Sequence, residues 1–210
     1  MSARLTRNDR GVVTGNTYDK YGSSNPVVRR LMAGFHRDLD AVFGQASPAS
    51  LLDVGCGEGI ITAAWAPAVA PGRLVGVDLD DPLLRSEWKL RAAPNLEFHT
   101  GHAERLGFAD GEFEMVAAIE LLEHVRDPWQ VLAEMARCSS RWLLLSVPRE
   151  PVWRAANLAR GAYWRSLGNT PGHLNHWSRR SFLSLLGGYG TVVTTRQPFP
   201  WTIALVRVDG

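Results

Sequence analysis

The chain has 210 residues, of which 45% are hydrophobic and 21% charged, with a formal net charge of +2. That length suits one domain whose core needs no staples, and so small a net charge carries no argument for nucleic acid. No run of about eighteen apolar residues occurs, which excludes a membrane-spanning helix. The two cysteines and scattered histidines show no zinc-type ligand spacing, so no metal is expected.

Residues 1–11 are polar, carry three arginines (Arg4, Arg7, Arg10) and lack an apolar h-region, so they do not read as a signal peptide. Cys56 lies inside a glycine turn and Cys138 is the only other thiol. That argues against a structural disulfide and for a reducing, cytoplasmic setting.

Residues 17–24 are turn-rich and hold Tyr18 and Tyr21. Asn25 as cap and Pro26 at the first helical position then open a helix. Val27, Val28, Leu31, Met32, Phe35, Leu39, Val42 and Phe43 recur at three- and four-residue steps, one stripe facing a core. Gly44 is expected to end it. Residues 1–45 are then either a packing helix or a lid, with the two tyrosines closing over the glycine-rich turn at 55–59.

Leu51–Val54 reads as a buried strand running into that turn, and the turn runs into a helix over Ile60–Val69. Pro71-Gly72 makes a turn. A second strand over 74–77 ends at Asp78, and Asp81-Pro82 opens a helix through about Ala92. Pro94-Asn95 breaks it before a short strand over 96–99. Phe113–Ile119 is a fourth strand, Pro128–Cys138 a helix, and 142–147 a fifth, nearly all apolar strand. Strands alternating with helices at this spacing predict a parallel sheet covered on both faces. The tail breaks the alternation. It reads as a helix over 149–162, a loop over 170–177, a helix from Ser178 to Leu186 stopped by Gly187-Gly188, and two antiparallel strands over 191–196 and Trp201–Val208.

The glycine turn decides the ligand class. A Walker A loop needs Gly-Lys-Ser/Thr, but Glu58-Gly59-Ile60 stands here. The dinucleotide pattern G-x-G-x-x-G fails too, since its third glycine falls one residue early. A helix N-terminus favours anions, yet Glu58 puts a carboxylate there, so a ligand with sulfonium and ammonium charges suits it better. Asp78, nineteen residues beyond Gly59, can accept both hydroxyls of a ribose. Its other reading is a cap for the next helix.

Five stretches in order carry a resemblance: Asp53-Val-Gly-Cys-Gly-Glu-Gly59; Val77-Asp78; Gly101-His-Ala-Glu-Arg-Leu106 with Asp110-Gly-Glu-Phe-Glu114; Glu120-Leu-Leu-Glu-His-Val125; and Ser146-Val-Pro148. Together they resemble the motifs of class I S-adenosylmethionine-dependent methyltransferases, nearest the small-molecule branch that includes the quinone-type enzymes, over roughly residues 50–150. The resemblance implies an α/β, Rossmann-like three-layer sandwich with a seven-stranded, mostly parallel sheet and an antiparallel last strand. It implies one domain over 1–210: a lid or helix (1–45), a cofactor core (50–147), substrate-covering helices and loop (149–188) and a terminal hairpin (191–208). S-adenosylmethionine would be the cofactor and S-adenosylhomocysteine the product. Gly55, Cys56, Gly57 and Gly59 would approach the methionine part with Asp53 beneath. Asp78 would hold the ribose, Leu79 would cover the adenine, and Ala103 would read the adenine edge beside His102 and Glu104. Glu120 would serve the methionine end and Tyr21 the lid. One departure stands out: His102 occupies a position where the family commonly has aspartate. A neutral imidazole can accept from the adenine amino group with one nitrogen, whereas a protonated one cannot.

Methyl transfer is an in-line displacement that depends on positioning, and an oxygen or nitrogen acceptor also has a proton to lose. His124, His173 and His176 are the candidate bases; for His124 a packing role is the competing reading. His173, Asn175 and His176, bracketed by Trp164 and Trp177, suggest a polar-aromatic wall for a small organic acceptor methylated on O, N or C. Between 149 and 180 six arginines face one acid, Glu150. They form a solvated face or, if turned inward, imply an anionic or glycosylated acceptor. An RNA methyltransferase is the main alternative, but Ile119-Glu120-Leu121-Leu122 stands where an Asn/Asp-Pro-Pro-aromatic motif would be needed. A non-catalytic S-adenosylmethionine-binding protein is the other. The expected partner is a small molecule, not nucleic acid, and the chain a monomer or homodimer.

Overall fold

The computed structural model describes the backbone of Thr6–Arg7 and Val13–Thr14 and residues 25–209 except 160 and 162. Tyr18 and Tyr21 lie outside the described residues. Strands β1 (Thr6–Arg7) and β2 (Val13–Thr14) pair antiparallel as a two-residue ladder.

Helix α1 (Pro26–Ala46) starts as its sequence dictates: the Asn25 side chain accepts from Val27 N–H and Pro26 fills the first turn. It does not stop at Gly44. It runs to Ala46 and closes at Ser47, whose left-handed φ of 40° lets its N–H reach Phe43 O. Beyond it lie β3 (Leu51–Val54), α2 (Ile60–Val69), β4 (Leu74–Asp78), α3 (Pro82–Trp88) and β5 (Leu96–Thr100). Next come β6 (Phe113–Ile119), α4 (Pro128–Cys138), β7 (Ser139–Pro148), α5 (Val152–Ala159), α6 (Arg179–Leu186), β8 (Gly190–Arg196) and β9 (Trp201–Val208). Helix α3 ends at Trp88, short of Ala92, where that indole is anchored on Gly57 and Phe98. Helix α5 begins at Val152 rather than at 149, since Arg149 is still in an extended β-bridge with Trp177 and the Arg149 and Glu150 N–H groups donate to Pro200 O and Trp177 O.

The main sheet has seven strands in the order β5-β4-β3-β6-β7-β9-β8. Strands β3 to β7 run parallel, and β9 pairs antiparallel with both β7 and β8. The last strand is therefore the antiparallel one, slotted between β7 and β8. Its sequence explains the place: Trp201 to Val206 are buried without interruption, as a strand covered on both faces must be, while edge strand β8 alternates.

Alternate residues of each strand feed two separate cores. Leu52, Val116, Ala118, Leu143 and Leu145 pack under α4 and α6. Leu51, Met115, Ala117, Leu144 and Leu205 pack under α1 and α2. This is the three-layer sandwich, and it leaves the carboxyl ends of β3, β4 and β6 open at one edge, where ligands bind in such sheets. Among the described residues no helix is long and apolar enough to cross a membrane.

Candidate active site

A cavity of about 1250 Å³ opens at that edge. Asp53, Gly55, Cys56, Gly57, Asp78, Leu79, His102, Ala103, Glu104, Glu120, His124 and His173 all line it. The fold thus gathers residues 120 positions apart (173 − 53) around one space. Gly59 stands behind the wall as the N-cap of α2. His176 lies outside: it is exposed and its Nε2 is 2.8 Å from Asn169 Oδ1.

The glycine turn is built against β4. Gly55 N–H and Cys56 N–H both donate to Val77 O, at 2.8 and 3.1 Å, Gly57 N–H donates to Asp78 Oδ2 at 2.7 Å, and Gly59 N–H donates to Cys56 O at 2.9 Å. Those four amides are used within the protein, so they do not form the phosphate cradle of a nucleotide loop. Gly57 has φ 54°, and a Cβ built on it meets nothing within 4 Å. Its backbone is left bare towards the cavity. At Gly59, φ 73°, a Cβ would strike Phe98 at 2.6 Å, so packing forbids a side chain there.

Asp78 is not the helix cap. That role belongs to Asp81, whose side chain accepts from Leu83 N–H at 2.7 Å. Asp78 takes one N–H on each oxygen, Leu79 on Oδ1 and Gly57 on Oδ2, both at 2.7 Å. Each oxygen keeps a second lone pair for a hydroxyl. Burial pushes the Asp78 carboxyl up, against the pull of those two amides. Asp53, 2% exposed, receives Thr62 Oγ1 at 2.6 Å, and burial raises it to about 7. Among the described residues, six carboxylates line the cavity (Asp53, Glu58, Asp78, Glu104, Glu120, Glu123) against two guanidinium groups (Arg105, Arg126), a formal −6 + 2 = −4. Such a lining attracts a cation and repels phosphate. An acidic cradle, a bare glycine turn and a carboxylate placed for a diol fit S-adenosylmethionine.

Glu120 follows β6 with φ 60°, and its carboxylate is fixed by Trp201 Nε1–H at 2.6 Å and Ser146 Oγ–H at 3.3 Å. Trp88 holds the turn from the other side, donating Nε1–H to Gly57 O at 2.8 Å while stacking on Phe98. Sequence reading missed both tryptophans. Their partners lie 81 and 31 residues away, and no periodicity signals such pairs.

The far end of the cavity is aromatic and apolar. Val28, Leu31, Met32 and Phe35 of α1 line it, with Trp153 of α5 and Trp201. His124 Nδ1 lies 3.0 Å from Gly172 O; since a carbonyl only accepts, that nitrogen carries the hydrogen. The His124 and His173 rings meet edge-to-face at 5.0 Å, and His173 stacks on Trp153 at 5.8 Å. Trp153 donates to Thr170 Oγ1 at 2.9 Å. Of the residues expected to form a polar-aromatic wall, only His173 lines the cavity. Asn175 turns away to bond Leu122 O and Val125 O at 2.9 and 2.7 Å, Trp164 is exposed and Trp177 joins the core. None of the described arginines between 149 and 180 lines the cavity. Arg149 bonds Gln197 and Arg154 bonds Leu167 O, so the described arginines of this segment offer an anionic acceptor no contact in the cavity.

Residues 52–141 match the methyltransferase domain family. The ubiquinone biosynthesis O-methyltransferase of Methylococcus capsulatus is 32% identical over 157 residues, covering 66% of this chain and 65% of that protein. The chain thus spans less than two thirds of the length of such curated relatives. A magnesium protoporphyrin IX methyltransferase from Synechocystis PCC 6803, solved with bound SAH, superposes with a TM-score of 0.64 at 18% identity over 90% of both chains. A SAM-dependent methyltransferase from Aquifex aeolicus does so with a TM-score of 0.65 at 14% identity, covering 82% of this chain and 90% of that one. These structures bear on the fold alone. The sequence match over residues 52–141, the ordered motifs, the sheet order and the acidic glycine cradle are all similar to those of class I S-adenosylmethionine-dependent methyltransferases.

Proposed function

We propose that the protein transfers the methyl group of S-adenosylmethionine to a hydroxyl of a small, largely apolar aromatic acceptor. The observation that carries this reading is the continuity of the cavity, which runs from Gly57 and Asp78 to the Trp153–His173 wall. Its volume of about 1250 Å³ exceeds the ~300–1,000 Å³ usual for one ligand, as donor and acceptor together require.

In this reading Asp78 binds the ribose hydroxyls, while Leu79, His102, Ala103 and Glu104 surround the adenine. Gly55, Cys56 and Gly57 face the methionine part, and Asp53 and Glu120 sit at its charged end. The acceptor lies between α1 and α5, its ring against Trp153 and its hydroxyl towards the corner formed by Glu123, His124 and His173. An acceptor oxygen attacks the methyl carbon in line with sulfur. The C–O bond forms, the C–S bond breaks, and sulfur keeps the pair as a neutral thioether. The acceptor proton leaves through the histidine corner. His176, on the outside, has no part in it.

The O-methyltransferase named among the relatives supports oxygen as the acceptor atom. The free thiols of Cys56 and Cys138 suit a cytoplasmic setting. Each chain lines a cavity of its own, so a monomer suffices and a homodimer is compatible. The division into lid, cofactor core, substrate cover and hairpin belongs to the same reading. The test is methyl transfer from label-bearing cofactor to a panel of phenols, aliphatic alcohols, amines and RNA. Product is expected with phenols. Tight cofactor binding without transfer to any phenol, or transfer to RNA alone, overturns the reading.

A further inference from the structure

We propose that Glu123, His124 and His173 form a binding site for one divalent transition-metal ion at the acceptor end of the cavity. The three residues come from two distant segments, the turn after β6 and the loop before α6. Folding brings one ligand atom of each within 4.8 Å of the others. All three line the cavity. An ion with bonds of ~2.0–2.1 Å holds its ligands ~3.0–3.4 Å apart, so small rotations of the three side chains close the triangle.

The support is rigid. Glu123 O accepts from Leu174 N–H at 2.7 Å and Asn175 N–H at 3.1 Å, and Asn175 Nδ2 bridges Leu122 O and Val125 O. His124 Nδ1–H bonds Gly172 O, which turns its Nε2 into the coordinating nitrogen; metal-bound histidines are oriented by this kind of second bond. His173 is fixed by the Trp153 ring and by its own N–H on Thr170 O. Glu123 is 1% and His173 8% exposed.

Two imidazoles and one carboxylate select the metal class. Magnesium and calcium prefer all-oxygen shells, whereas zinc and its neighbours take nitrogen and oxygen together. Three protein ligands leave a position open, the arrangement of catalytic rather than structural zinc. The role rests on the reading of this end as the acceptor pocket. With an ion bound there, His124 and His173 would serve as ligands rather than bases: the ion would lower the pKa of the acceptor hydroxyl, whose proton would pass to solvent at this same corner, leaving the oxyanion to attack the methyl carbon. Linear spacing gave no hint, because two ligands are adjacent and the third lies 49 residues on (173 − 124).

The test uses tag-free, chelator-stripped protein. Zn²⁺ is titrated in competition with a chromophoric chelator, Co²⁺ is followed by visible absorption, and SAH affinity is measured by calorimetry. Saturable binding of one equivalent is expected, with Co²⁺ bands of a low-symmetry site. His124→Ala, His173→Ala and Glu123→Gln should each weaken Zn²⁺ about tenfold or more and leave SAH affinity within about twofold. No saturable binding, or binding that survives loss of both histidines, overturns the site. Should a substitution also abolish SAH binding, the Co²⁺ spectrum of the unmodified protein decides, and an aquo-ion spectrum overturns the site. Failure of SAH to bind the unmodified protein would sink the methyltransferase reading while leaving the metal result standing.

Discussion

Asp53 and Asp78 sit at adjacent strand ends, yet burial acts on them to different effect. Asp78 has two backbone donors, so its charge is partly met before any ligand arrives. A charge-assisted hydrogen bond is worth about 1.5–3 kcal/mol, so Asp78→Ala should weaken SAH binding at least tenfold by calorimetry. An unchanged affinity would remove Asp78 from the cofactor site. Asp53 accepts from the Thr62 hydroxyl, a neutral donor, and burial lifts its carboxyl from an ordinary 3.8 to about 7. The folded chain therefore holds that proton between about pH 4 and pH 7 while the unfolded chain has lost it. The group favours folding at low pH, and that contribution falls away as pH rises through 7. Asp53→Asn keeps an acceptor for Thr62 and carries no charge. Its melting temperature should match the parent near pH 4 and exceed it above pH 7, by an amount equivalent to a few kcal/mol. Equal melting curves at all pH values would mean that Asp53 titrates normally. Asp78 was legible because a strand end after a glycine turn is a fixed place in such folds. The competing cap reading was settled only by seeing Asp81 take the bond to Leu83.

At the scale of elements, the cofactor turn depends on α3 as much as on β3. Trp88 donates to Gly57 O and stacks on Phe98 at 5.2 Å, and Phe98 fills the space that side chains on Gly59 and Gly76 would need. Trp88→Phe retains an aromatic partner for Phe98 and removes the bond to Gly57 O. It should cost about 1 kcal/mol in the denaturation midpoint and weaken SAH several-fold; full affinity would show that the turn holds its shape unaided. Most strands and the N-terminal ends of helices could be read from local chemistry, as at Asn25-Pro26 and Asp81-Pro82. The ends that moved were set by distant partners. Helix α5 does not begin at Arg149 because that residue is held extended in a bridge to Trp177, 28 residues on (177 − 149). The Glu120–Trp201 bond and the His124–His173 contact depend on β9 lying beside β7 and on the loop before α6 folding back over the turn after β6. Neither closure is written in a window of adjacent residues.

For the whole molecule, charge is sorted by face. Acidic side chains dominate the cavity, while Arg165, Arg179 and Arg180 are exposed elsewhere and Arg149 and Arg154 bond other residues. A basic segment on the outside is the feature that an RNA-modifying enzyme would use, and an acidic cavity is one a polyanion would avoid. The two readings differ in their response to salt. A protein that contacts several phosphates loses roughly 10³-fold or more in affinity as salt rises from ~0.05 to ~0.2 M. An uncharged phenol loses nothing by counterion release, and S-adenosylmethionine bound in a cavity is screened far less than an exposed pair. Turnover at saturating phenol is therefore expected to change less than about twofold over that range, with structured RNA neither retained nor competing against SAH. A steep fall with salt, matched by RNA binding that fails when Arg179 and Arg180 are replaced by alanine, would shift the acceptor from a small aromatic to a nucleic acid. The sorting of charge makes the first outcome the expected one, because the described arginines of the basic segment 149–180 are not among the residues that line the acidic cavity.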